Sequence, residues 1–262
     1  MAEAAADLVG AVADIAHEAG QMAFARWRTD FARWEKTPGS PVCEVDLDVD
    51  RMLRARLGGL LPDAGWLSEE TVDSAERLGR RRVWVVDPID GTRDYIRGRE
   101  GWAVSIALVE DGEAVLGVLD APARAERWSA SRGAGARRNG VALAAGTRSD
   151  LNGARVPTDA LPKIDRHLAI VHKPNSIALR MAMVAADEAD LVATLRWGNE
   201  WDIAAAALIA AEAGAGVSDA LGARLRYNKP DPTAFGVMVA APGIHAAALR
   251  WIAERADRAL KG

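Results

Sequence analysis

A short apolar run, Val83-Trp84-Val85-Val86, ends on Asp87-Pro88-Ile89-Asp90-Gly91-Thr92, and this junction narrows the fold more than any other feature of the chain. Apolar residues in an unbroken row suit a strand buried on both faces, which requires a covering layer on either side. Trp66-Leu67 reads the same way. Residues 102–109 (WAVSIALV) meet 114–119 (AVLGVL) across Glu110-Asp111-Gly112-Glu113, a hairpin signal, and Asn139-Gly140 marks a second hairpin.

Helical patterns frame those strands. Leu8, Val9, Val12, Ile15, Ala16, Ala19 and Met22 recur at three- and four-residue steps and predict an amphipathic helix. KTPGSP, residues 36–41, is expected to be a loop by its Pro and Gly content, and a helix carrying Val49, Met52, Leu53 and Leu57 should stop before Pro62. Further on, the pattern predicts strands at 168–171, 190–195 and 237–240 and helices at 176–186 and 201–213, the latter closed by Gly214. A last helix carries Leu249, Ile252, Ala256 and Leu260. The expected class is therefore a layered α+β / α/β protein. It should have an N-terminal α+β subdomain over residues 1–150, a C-terminal α/β subdomain over 151–262, and an active-site cleft between them.

Composition excludes several functions. Lys plus Arg number 33 against 37 Asp plus Glu in 262 residues, a net charge of −4, which disfavours a sequence-indifferent nucleic-acid binder. Half of the residues are hydrophobic and the mean hydropathy is −0.06, the balance of a soluble globular protein. Cys43 stands alone, so no internal disulfide can form. The first residues carry acids where a signal peptide would carry bases, and no stretch reaches the roughly 18 apolar residues of a membrane span. The expected location is the cytoplasm.

The carboxylates carry the chemistry. Asp87 and Asp90, held by one tight turn, suit hard cations, and the free N–H groups of Gly91 and Thr92 would face an adjacent anion. A plain strand-end turn explains the same residues, as a surface turn explains Glu69-Glu70 and helix capping explains Asp202. His17, His167, His172 and His245 are scattered without zinc-ligand spacing, and Cys43 reads as a small core residue.

Taken together, SEE (68–70), WVVDPIDGT (84–92), the NG of GARRNGVAL (135–143) and EWDIAAAALIAAEAGA (200–215) resemble the inositol monophosphatase superfamily of magnesium-dependent, lithium-sensitive phosphatases. The order and spacing agree over roughly residues 5 to 255. The resemblance implies a sugar-phosphatase-like αβαβα sandwich and two or three Mg²⁺ ions. It implies Glu69, Asp87, Asp90, Asp202 and the Ile89 carbonyl as metal ligands, with Asp46, Thr92 and Glu69 serving the attack by water. It places Asp90, Gly91, Thr92, Arg93, Asn175, Ser176 and Glu200 at the substrate. Ser68, where Gly is usual, and Cys43-Glu44-Val45 before Asp46 depart from the family pattern without removing a ligand.

In motif detail the chain is most similar to bacterial 3′(2′),5′-bisphosphate nucleotidases. Arg93-Asp94-Tyr95-Ile96, GNEWD (198–202), Leu-Asp-Ala-Pro (119–122) and Tyr227-Asn228-Lys229-Pro230 carry that likeness. Leu195, seven residues before Asp202, could not hydrogen-bond an inositol hydroxyl, whereas Arg93 or Lys229 could meet a second phosphate. The expected reaction is removal of the 3′-phosphate of adenosine 3′,5′-bisphosphate to leave AMP. Hydrolysis of inositol 1-phosphate or another sugar phosphate is the alternative. A non-enzymatic binding module, suggested by the basic run Arg77, Arg80, Arg81 and Arg82, is the remote one. The expected partner is a small phosphorylated metabolite, with neither nucleic acid nor membrane, and a homodimer is one expected assembly.

Overall fold

The structure, a computed structural model, describes residues 2–37 and 40–261. Helix α1 (Ala2–Arg26) leads into a hairpin of β1 (Arg33–Thr37) and β2 (Ser40–Cys43), followed by α2 (Glu44–Leu60). The expected loop at 36–41 is thus mostly hairpin. Lys36 and Thr37 lie in one strand and Ser40 and Pro41 in the other, an edge position that tolerates proline, while Pro38 and Gly39 lie outside the described residues.

The main sheet is built from β3 (Gly65–Ser68), β4 (Arg82–Asp90), β5 (Ala103–Glu110), β6 (Glu113–Ala121), β7 (Glu126–Ser131), β8 (Ala136–Arg138) and β9 (Val141–Ala142). These strands lie in sequence order, β3 parallel to β4 and all other pairs antiparallel. Asn139 and Gly140 both take positive φ, 50° and 81°, as the two-residue turn between β8 and β9 requires. A short helix, α3 (Thr92–Ile96), follows β4 directly.

Alternation along β4 explains the layers. Trp84 and Val86 pack with α1 and α2, while Val83 and Val85 face a second core. That second core holds α4 (Ile177–Ala185) and α5 (Glu200–Glu212). The two strands β10 (Arg155–Pro157) and β11 (Ala169–Val171) pair in parallel, and β12 (Leu191–Ala193), β14 (Gly216–Ser218) and β16 (Met238–Ala240) form a smaller antiparallel sheet. Strand β13 (Trp197–Asn199) pairs with β15 (Thr233–Phe235). Val239 of β16 faces α4 and α5, whereas Met238 and Ala240 face α6 (His245–Lys261). Helices, sheet, helices, sheet and helix therefore stack as five layers, the αβαβα order. Among the described residues no helix is long and apolar enough to cross a membrane.

Candidate metal centre and catalytic cavity

The site begins with an irregularity in β4. Asp87 pairs with Ser105 but Asp90 pairs with Ala103, so the stretch Asp87-Pro88-Ile89-Asp90 carries one residue more than the strand opposite. In a regular strand a three-residue spacing would turn the two carboxylates to opposite faces. With the extra residue, Ile89 is buried among the α1 and α2 side chains and Asp90 turns toward α4. Asp90 Oδ2 accepts the hydroxyl of Ser176 and the amide of Ala178, the latter at 2.8 Å.

Glu69 leaves the end of β3, its amide bonded to the Val86 carbonyl at 3.3 Å. Asp202 enters from the first turn of α5, where its Oδ2 accepts the Asn199 amide at 3.0 Å. Carboxylate oxygens of Glu69, Asp87 and Asp202 lie within 4.8 Å of one another, the one such group of acids, histidines or cysteines among the described residues. An oxygen-only set at this spacing fits a hard dication, whose opposite ligands at 2.0–2.1 Å span roughly 4 Å. The histidines stay outside it.

Crowding these acids together out of water has a cost. Burial and then the charges of Glu69, Asp90 and Asp202 hold the Asp87 carboxyl well above the usual range. Burial, followed by the Asp90 charge, pushes Asp202 up to about 8, and burial pushes Asp90 up to about 6. Lys36 is the one cation that reaches the acid pair from β1, at 3.3 Å from Glu69 and also bonded to Glu70, a contact hidden from sequence reading by the Pro-Gly segment beside it.

Behind the acids, Thr92 Oγ1 donates to the Ile89 carbonyl at 2.9 Å and lies 3.4 Å from Asp46 Oδ1. Asp46, in the first turn of α2, accepts the Cys43 amide at 2.8 Å and is pushed up to about 6 by burial. The Cys43 thiol is itself held far above its usual pKa by burial and the Asp46 charge, so it is no thiolate nucleophile. Gly91 is indispensable to the turn. Its φ is +95°, and a Cβ there would sit 2.6 Å from the Gly101 carbonyl and 2.9 Å from the Ser176 amide.

Glu69, Asp87, Asp90, Gly91, Thr92 and Asp202 line a cavity of about 470 Å³ together with four cations, Arg93, Lys173, Arg180 and Arg196. Arg180 is anchored through its guanidinium to the carbonyls of Asn175 (2.9 Å) and Ser176 (3.3 Å). Among the described residues neither Arg180 nor Arg196 is ion-paired to a carboxylate. Sequence reading takes Asn175 and Ser176 from the segment 173–181 and passes over its Lys173 and Arg180, and it misses Arg196, because a single cation on an apolar helix or in a loop carries no motif. A second cleft of about 1000 Å³, lined by Arg28, Arg97, Arg99 and His172 among others, adjoins the first and shares Arg93, Lys173 and Asn175 with it.

Three expected contacts lie elsewhere. Glu200 is fully buried away from the cavity, its carboxylate accepting the amides of Asn228 (2.6 Å) and Lys229 (3.2 Å). Two residues along a helix are turned by about 200°, so Asp202 facing the cavity puts Glu200 on the opposite side. Lys229 is held there as well, 3.7 Å from Glu200 and donating to the Thr233 carbonyl. Ser176 caps α4, accepting the Leu179 amide at 2.9 Å, and is fully buried behind Asp90. Leu195 packs under α6, while its neighbours Thr194 and Arg196 face the cavity.

A layered fold with a partly buried, oxygen-only acid cluster where its main sheet meets the N-terminus of a helix defines a metal-dependent phosphatase. The inositol monophosphatase family model matches residues 6–260, and the chain belongs to that family. It is similar to the Nus factor SuhB of Xylella fastidiosa, 37% identical over 195 residues, 69% of each chain. It is also similar to the 3′(2′),5′-bisphosphate nucleotidase CysQ of Aggregatibacter actinomycetemcomitans, 30% identical over 83% of this chain and 86% of that one. The solved IMPase of Thermotoga maritima superposes with a TM-score of 0.83 at 28% identity, covering 97% of this chain and 99% of the other.

Proposed function

We propose that the protein removes the 3′-phosphate of adenosine 3′,5′-bisphosphate, leaving AMP and phosphate, in a cavity between the halves 1–150 and 151–262. Glu69, Asp87, Asp90, Asp202 and the Ile89 carbonyl would hold two or three magnesium ions. Magnesium, when bound, supplies Lewis acidity to the phosphoryl oxygens and lowers the pKa of coordinated water. The Gly91 and Thr92 amides hold the phosphate being cleaved. The Thr92 hydroxyl orients the attacking water, and Asp46, with its carboxyl raised to about 6, receives the proton through Thr92.

The observation that carries the choice of substrate is the pair Arg180 and Arg196, which line the acid-bearing cavity with no carboxylate at ion-pair distance among the described residues, although Arg180 feels the charge of Asp90 and Arg196 that of Asp202. With the four ligand carboxylates balanced by the bound cations, these arginines remain for an anion that the substrate brings. A second phosphate meets that need. An inositol ring, bearing hydroxyls only, does not. The name of the CysQ relative supports the same reading. Values of kcat/KM for adenosine 3′,5′-bisphosphate, inositol 1-phosphate, fructose 1,6-bisphosphate and histidinol phosphate test it. The nucleotide is expected to rank first, with magnesium required and millimolar lithium inhibitory. Preference for inositol 1-phosphate would overturn the substrate and leave the metal chemistry standing.

A further inference from the structure

Two buried charges take no part in the chemistry above, and both lie behind Asp202. Arg77, only 2% exposed, belongs to the connection between β3 and β4, the same connection that begins with Glu69. Its guanidinium forks onto Asp73 at 2.7 and 2.8 Å, then reaches Asn228 Oδ1 at 2.8 Å and the Lys229 carbonyl at 3.0 Å. Asn228 returns a bond from Nδ2 to the Arg77 carbonyl at 3.3 Å. The Asn228 backbone is left-handed, with φ 57°, a conformation that costs energy outside glycine and needs to be held. Glu200 holds it from the other side by accepting the amides of residues 228 and 229. The Glu200 amide in turn donates to the Pro232 carbonyl at 2.9 Å.

A continuous chain of hydrogen bonds therefore runs from the segment that starts at Glu69, through Arg77 and residues 228–229, to the first residue of α5, two positions before Asp202. Apolar packing would hold the halves together at lower desolvation cost. What a forked, hydrogen-bonded charge adds is a fixed distance and direction, which an acid cluster drawn from two parts of the chain requires.

We propose that Arg77 and Glu200 are positioning residues that set the placement of Asp202 against Glu69 and Asp87, and with it the affinity of the acid cluster for a divalent cation. This rests on reading those three acids as metal ligands. The test is manganese titration of the metal-stripped protein, following free Mn²⁺ by electron paramagnetic resonance. Glu200→Gln puts an NH₂ against one of the two amides, and Arg77→Met removes the fork. Each is expected to weaken Mn²⁺ binding by about tenfold or more, the range for groups that orient metal ligands, and to raise the magnesium needed for half-maximal rate. The kcat at saturating magnesium should stay within about threefold, because the added ion restores the cluster. Arg255→Met is the control for instability alone. It breaks the buried Asp165 pair beneath α6, at 2.7 Å, and should lower Tm with Mn²⁺ affinity unchanged.

Unaltered Mn²⁺ affinity in folded Glu200→Gln would overturn the proposal, as would equal weakening in Arg255→Met at a matched loss of Tm. Should Arg77→Met not fold, the milder Glu200→Gln decides. Asp87→Asn examines the ligand set separately. Mn²⁺ binding that survives it removes the metal reading and this inference together, whereas binding lost there but untouched by Glu200→Gln removes the positioning role alone.

Discussion

Asp190 and Asp87 are both buried aspartates at the ends of the sheet layers, and they are treated in opposite ways. Asp190 receives the Arg155 guanidinium at 2.7 and 2.9 Å, the Arg155 amide at 2.8 Å and Arg148 at 2.9 Å. Burial alone would raise its pKa, but these donors outweigh burial and hold it below the usual range. Asp87 has acids for neighbours, and its carboxyl is pushed well above that range. The protein satisfies Asp190 from within. At Asp87 it crowds acids together with too few protein cations to offset them, the electrostatic mark of a candidate functional carboxylate as against a structural one.

The largest effect that would break this comparison is loss of catalysis at Asp87. Asp87→Asn is expected to lower kcat/KM by about a thousandfold or more, while the metal-stripped variant melts at a higher temperature than the metal-stripped parent. Activity within about tenfold, only ~1.4 kcal/mol of barrier, would remove Asp87 from the site. Asp190→Asn should do the reverse. It removes the charge shared by Arg155 and Arg148, which keep Asp187 and the carbonyls of Asp150 and Asn152, lowers stability by roughly 1.5–3 kcal/mol in denaturant titration, and leaves kcat/KM near the parent value while the protein is folded.

The cavity cations sharpen the contrast further. Arg196→Ala or Arg180→Ala is expected to lower kcat/KM for the bisphosphate by about tenfold to a hundredfold, the worth of one charge-assisted contact. Glycerol 2-phosphate should be spared, and equal losses on both substrates would assign the arginines to the reacting centre instead. The smallest effect concerns pH. Asp202 at about 8 and Asp90 and Asp46 at about 6 all lie above the 3.8 of a free aspartate, so the folded metal-free protein keeps protons that the unfolded chain has released. That stabilisation is fully present below about pH 4 and is lost progressively as pH rises from there through about 6 to 8. The Tm of the metal-stripped protein should therefore fall across this window, and saturating magnesium should flatten the slope. A Tm that rises with pH would mean the acids are already neutralised by protein groups.

How much of this is legible in the sequence follows from how local each signal is. The strand ending on Asp87, the acids at 90 and 202, the 102–119 hairpin and the alanine-rich helix are all encoded within a few adjacent residues. Burial on both faces predicts the layers because nothing else accommodates Val83 to Val86. The hairpin at 33–43 escapes because proline and glycine are read as loop wherever they occur. Arg180 and Arg196 escape because their meaning depends on what lies across the cavity rather than on their neighbours in sequence. Glu200 is legible as part of a motif, but its direction is set by helix phase. Moving along α5 from 202 to 200 turns the side chain from the acid cluster to the hydrogen bonds with residues 228 and 229.

Helix α5 is apolar nearly all the way round, with residues 203–210 buried, and it lies so close to β6 that a Cβ on Gly117 would come within 2.6 Å of the Ala205 carbonyl. Its amides should accordingly be among the slowest in the molecule to exchange with deuterium, opening only when the whole domain opens. Asp202 rides on that helix, so the floor of the cavity has no private breathing motion. Opening of the cavity is therefore expected in the segments 173–175 and 194–199 that line it, rather than in the helix that carries Asp202.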